Sequence, residues 1–179
     1  MNLTNKKCLI AYYSRKGKNY VSGRIVDLKV GNTEVVANMI QKITGGDMFP
    51  IESVTAYPND YTETTEVAKN ELRAKARPNL TRQVENIARY DMIFLGYPNW
   101  WGTMPMPVHT FLRVMISPER KSFPFAPTKA AAWATVNRIL PKHVPRLYVL
   151  KGIAIHGTTA SSANSNVSSW IDELSIWRS

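Results

Sequence analysis

Residues 91–107 read DMIFLGYPNWWGTMPMP, and this stretch decides how the rest of the chain is read. Its first six residues, Asp91 to Gly96, place a short continuous apolar run behind a leading aspartate, the pattern of a strand buried on both faces. The run ends at Gly96 in a loop carrying Pro98, Asn99, Trp100, Trp101 and Gly102, and Pro107 can open a helix to Met115. Neighbouring tryptophans on a loop cannot both face one interior. They form either an aromatic wall around a flat ligand, whose polar edge meets backbone groups freed by Pro and Gly, or a cover over the sheet end or a dimer surface.

Outward from this stretch, strand and helix patterns alternate. Lys7 to Tyr13 (KCLIAYY) has the look of a buried first strand, and Thr33 to Ile43 places Val35, Val36, Met39, Ile40 and Ile43 at the three-and-four spacing of a helix packed on a sheet. Asp47 to Ile51 is a short strand, Tyr61 to Lys75 an exposed helix, Lys121 to Phe125 a weak strand and Tyr148 to Ile155 a clearer one. Asn164 to Trp177 closes the chain as a helix with Val167, Trp170, Ile171 and Leu174 on one side. Five strands alternating with helices predict an α/β domain over residues 1–179: a three-layer, doubly wound parallel sheet whose ligands sit beyond the carboxyl ends of the strands. The loops after Tyr13, Gly96 and Phe125 are therefore where chemistry is expected.

The 179 residues, 44% hydrophobic and 20% charged, suffice for one core. No apolar run approaches the roughly 20 residues of a spanning helix, so membrane insertion is not expected. A single cysteine, Cys8, excludes an intramolecular disulfide and a cysteine-based zinc cluster and suits a cytoplasmic setting. The net charge of +10 invites a nucleic-acid reading. Its basic residues are scattered along the chain rather than gathered on one face, which favours a solvated surface instead.

The loop after Tyr13 offers the Ser14 and Thr33 hydroxyls, the Asn32 amide and a closely approachable backbone at Gly31, just before the first helix. A helix start supplies free NH groups and the positive end of a dipole, which suits a phosphate. The competing reading is that Asn32 or Thr33 merely caps the helix. No GxxxxGK[ST] or GxGxxG string occurs.

Taken together, YYSRKG with GNTEVVANMI, FLGYPNWWGTMPMPVHTFL and LKGIAIHG resemble the flavodoxin-like family, in its long-loop bacterial branch, over the whole chain in order. The resemblance implies a flavodoxin-like fold with strand order 2-1-3-4-5 and FMN as cofactor. Ser14, Arg15, Gly31, Asn32 and Thr33 would hold its phosphate, and Pro98, Asn99, Trp100, Trp101 and Gly102 would border the isoalloxazine. Lys18 to Val30 stands inserted between the two halves of what is a compact phosphate loop in most such proteins, as an excursion that leaves both halves at the phosphate. Electron transfer is the implied function, with redox partner proteins or a small acceptor and a homodimer as conceivable partners. The alternative is an FMN-dependent NAD(P)H or quinone oxidoreductase, and a basic nucleic-acid module comes last.

One stretch departs from the family pattern. Where relatives continue the fourth strand with a glycine-rich loop, this chain has PFAPTKAAAWATVNRILPKHVPRLYVLKG. Reading the codons one base earlier from Ala126 to about Leu147 allows CPHEGSGLGHSEPDIAKACPKA, which rejoins VLKG in register. The expectation is a one-base loss near Phe125 compensated by a one-base gain near Leu147. Third bases in the gene that are incompatible with the shifted peptide would end that idea. As written, AAAWATVNRIL still has the composition of a helix, with Trp133, Val136 and Leu140 on one side.

Overall fold

The computed structural model describes residues 6–115, 121–126, 148–149 and 151–176. The altered stretch beyond Ala126, with its expected helix around Trp133, lies outside the described residues.

Strand β1 (Cys8–Tyr12) is buried throughout and pairs in parallel with β4 (Asp47–Pro50) on one side and β5 (Met92–Gly96) on the other. β5 in turn pairs in parallel with β6 (Lys121–Ala126), which carries β7 (Tyr148–Val149) and β8 (Ile153–Ala154) at successive positions along its outer edge. The sheet runs β4-β1-β5-β6-β7, with β8 also on β6. The stretch from Tyr148 to Ile155, expected as one strand, is thus two short pairings with Lys151 and Gly152 between them.

Alternation along the strands sorts the core by face. Leu9, Ala11, Ile93 and Leu95 join Val108, Phe111 and Leu112 of helix α3 (Met106–Met115). Cys8, Ile10, Met92 and Phe94 join Val36, Ala37 and Ile40 of α1 (Asn32–Thr44) and Val167, Trp170 and Ile171 of α4 (Asn164–Ile176). Each fully buried aliphatic or Phe side chain in these clusters contributes roughly 1.5–3 kcal/mol. Helix α2 (Tyr61–Arg73) is more exposed; Asp60 caps it by accepting hydrogen bonds from the Thr62 and Glu63 amides at 2.8 and 3.1 Å.

The strand ends stay locked together. Tyr13 donates its amide to Gly96 O at 2.8 Å and Ile51 donates to Tyr12 O at 2.7 Å, so the loops after β1, β4 and β5 emerge side by side. The inserted excursion is itself ordered as an antiparallel hairpin, β2 (Gly17–Val21) with β3 (Arg24–Leu28), outside the main sheet. Its two-residue turn has Ser22 and Gly23 both at positive φ, the primed geometry that matches strand twist. Half-buried and exposed residues alternate along β2, a period-two pattern that a segment expected only as an excursion conceals.

Candidate functional site

The two halves of the split loop meet. Gly31 precedes α1 in extended conformation and makes no side-chain cap. Ser14 Oγ does that work instead, accepting the Glu34 amide at 3.1 Å from 20 residues upstream. Gly31 is pressed against the same loop: a Cβ there would lie 2.2 Å from Ser14 Oγ and 2.5 Å from the Arg15 carbonyl oxygen. Asn32 and Thr33 are therefore not caps but the first-turn residues of α1, where backbone NH groups lack intrahelical partners. Among the described residues, no acceptor meets the Asn32 and Thr33 amides.

Arg15 is turned to a different task. Its Nη2 donates to the carbonyls of Pro58, Asn59 and Asp60 at 2.8, 2.8 and 3.4 Å and to Thr64 Oγ1 at 3.0 Å, while Nη1 donates to Lys18 O. Both terminal nitrogens are thus committed to joining the hairpin base to the start of α2, rather than left for an anion. Burial pushes the Arg15 pKa down from its ordinary range, with Tyr13 and Asp60 opposing.

The tryptophan loop is a two-residue turn. Trp100 and Thr103 exchange amide hydrogen bonds at 2.8 and 3.0 Å, and between them Trp101 and Gly102 take φ of 54° and 78°. A side chain in the left-handed region costs roughly 1–2 kcal/mol, so glycine suits the second position and Trp101 is held under strain at the first. Its indole Nε1 donates to Thr65 O on α2 at 3.0 Å, and Lys69 Nζ stands 5.2 Å from the ring centre. Trp100 packs edge-on against Tyr13 and Tyr57, with ring centres 5.4 and 5.1 Å apart. Tyr57 in turn donates its hydroxyl to Glu71, whose carboxyl is raised chiefly by burial. The two indoles therefore go to different neighbours, as adjacent loop residues must.

These elements enclose a cavity of about 790 Å³, within the roughly 300–1,000 Å³ of small-molecule sites. Arg15, Asn32, Thr33, Pro98, Asn99, Trp100 and Trp101 line it. Ser14, Gly31 and Gly102 do not; they shape the backbone behind it. Asn99 Oδ1 is buried with no hydrogen-bond partner among the described residues, an acceptor with a donor still to find.

Sequence reasoning missed three parts of the wall: Tyr20 and Leu28 of the hairpin, Tyr61 and Thr64 of α2, and His156 with Gly157. The last pair was within reach, because it follows a strand end and loops there converge. His156 Nδ1 caps the turn after β8, 2.7 Å from Thr158 Oγ1, and a Cβ on Gly157 would lie 2.8 Å from Asn32 Nδ2.

A protein-family model described as flavodoxin matches residues 7–174. The chain belongs to the flavodoxin family. Among solved structures, this flavodoxin-family chain is similar to a candidate flavoprotein from Bacteroides eggerthii, at 26% identity and TM-score 0.72, covering 96% of this chain and 99% of that one. A second candidate flavoprotein, from Bacteroides uniformis, shares 22% identity at TM-score 0.70, over 93% and 98% of the two chains. A Lactobacillus acidophilus flavoprotein in complex with FMN shares 22% identity at TM-score 0.58, over 88% and 97%. No curated protein matches the chain at a comparable level.

Proposed function

We propose that the cavity binds FMN and that this flavodoxin-family protein carries electrons between redox partners, as a single doubly wound, three-layer domain in which β7 and β8 are halves of one fifth strand. One observation carries the reading. The cavity joins the open first turn of α1 to the tryptophan loop and is lined by Asn99, whose buried acceptor Oδ1 has no partner among the described residues. A phosphate-bearing planar heterocycle with donors on its edge satisfies all three features.

In this reading the Asn32 and Thr33 amides and the Thr33 hydroxyl hold the phosphate, with the helix dipole favouring its charge. Ser14 and Gly31 position that turn, and Arg15 braces the wall. Asn99 accepts a hydrogen bond from the bound ring system or its sugar chain, and the Trp100–Trp101 turn excludes water from one side. When bound, FMN supplies reversible electron transfer; the protein supplies binding, orientation and tuning. The lone buried thiol of Cys8 suits a reducing, cytoplasmic setting. Among the described residues no helix is long and apolar enough to cross a membrane.

Titration of the purified chain with FMN, followed by flavin absorbance and fluorescence, tests the reading. Saturable binding at one FMN per chain is expected, and absence of binding overturns it. Asn99→Ala sharpens the test. It removes a buried unpaired oxygen, so stability without FMN holds or rises, while FMN affinity falls by roughly tenfold for the lost hydrogen bond. Steady-state NADPH oxidation, absent in a carrier, separates this function from an FMN-dependent NAD(P)H or quinone oxidoreductase.

A further inference from the structure

His156 follows the last strand of the sheet, and its surroundings fix both its backbone and its ring. Ile155 before it is buried, and Ala160 after it belongs to the same core cluster as Val36 and Ala37 of α1. The His156 carbonyl accepts the Thr159 amide at 3.0 Å and the Thr159 hydroxyl at 3.1 Å. The next residue lies close against the head of α1, where a Cβ on Gly157 would come 2.8 Å from Asn32 Nδ2. A backbone amide can only donate, so the Thr158 NH, 3.4 Å from Nδ1, makes that nitrogen an acceptor and puts the proton of the neutral imidazole on Nε2. Nε2 meets no acceptor among the described residues, and His156 lines the cavity together with Asn32 and Thr33. Arg15 is the one permanently charged side chain among the described residues of that lining, and its terminal nitrogens are committed to carbonyls and to Thr64. An anion at the head of α1 is therefore left to amides, hydroxyls and this imidazole.

We propose that His156 is a specificity-determining residue, whose Nε2–H donates to the phosphate of the bound ligand and so selects a phosphorylated flavin over its dephosphorylated form. This assignment rests on the FMN reading given above and adds to it a side chain from the opposite end of the sequence. The two ring nitrogens have separate tasks. Nδ1 closes the turn that holds the Gly157 backbone against Asn32, and Nε2 serves the ligand. A hydrogen bond to an ionised phosphate is about twice as strong as one to the neutral terminal hydroxyl that riboflavin offers in its place, and that difference is the source of the selectivity.

Equilibrium titration of the full chain with FMN and with riboflavin, followed by flavin fluorescence, tests the assignment through the ratio of the two affinities. His156→Asn keeps an acceptor where Nδ1 stands, so the turn stays capped, but its side chain falls short of Nε2. The preference for FMN is expected to drop roughly tenfold in this variant, with riboflavin affinity unchanged. His156→Gln gives up the cap and carries an NH donor out to the position of Nε2, so it retains more of the preference than His156→Asn. A wild-type ratio in His156→Asn overturns the assignment, as do equal losses of FMN and riboflavin, which would leave the histidine only its capping role. A ratio in His156→Gln no higher than in His156→Asn also overturns it. Calorimetric titration with inorganic phosphate decides the case in which neither flavin binds. Phosphate binding weakened by His156→Asn then defeats the flavin reading and supports the role of the histidine, whereas phosphate binding that is absent, or indifferent to the substitution, overturns both.

Discussion

Gly31→Ala perturbs the point where the two halves of the split loop touch. The added Cβ would sit 2.5 Å from the Arg15 carbonyl oxygen, about 0.9 Å inside the 3.4 Å lower edge of ordinary contact, and 2.2 Å from Ser14 Oγ. The serine hydroxyl can rotate away, but only by giving up the Glu34 amide, a hydrogen bond worth about 0.5–1.5 kcal/mol. The carbonyl is backbone and cannot rotate; displacing it is overpacking of the kind that costs about 1–3 kcal/mol. The expected destabilisation is therefore about 1.5–4.5 kcal/mol, read from urea unfolding followed by tryptophan fluorescence. FMN affinity should fall as well, since the Asn32 and Thr33 amides move with the turn. Gly31→Ala with wild-type stability and wild-type FMN affinity would refute the claim that close approach of Ser14–Arg15 to α1 builds the phosphate end of the site.

Gly102→Ala places a side chain at φ 78°, and its thermal unfolding should reveal a loss of roughly 1–2 kcal/mol from backbone strain, since no described residue lies within 4 Å of the added Cβ. Cys8 has its thiol pKa raised from 9.0 to about 11, first by burial and then by the Asp91 charge. The folded value exceeds the unfolded one, so this contribution is complete below pH 9 and is lost as pH rises through about 11, by up to about 3 kcal/mol. Cys8→Ala should flatten that part of the alkaline stability profile, and an unchanged profile would count against the burial argument.

Much of the scaffold was legible in the chain because burial is periodic. CLIAY and MIFLG are continuous apolar runs, and the spacing of Val36, Ile40 and their neighbours is helical whatever lies opposite. The tryptophan loop was equally legible, since Gly102 belongs in a tight turn and two adjacent indoles on a loop must part company. The resemblance to flavodoxins rested on these same local strings.

What the chain alone determined, then, was the alternation of strand and helix and the two loops that face the cavity, because propensity, period and turn chemistry act over a few residues. Tertiary structure decided the rest. Ser14 caps a helix 20 residues away, and the Arg15 guanidinium serves the carbonyls of residues 58–60. The inserted segment became a cavity wall once Tyr20 found Tyr61. Each of these depends on which distant groups compete for one donor or one ring face, and that competition exists only after the strands have brought them within reach.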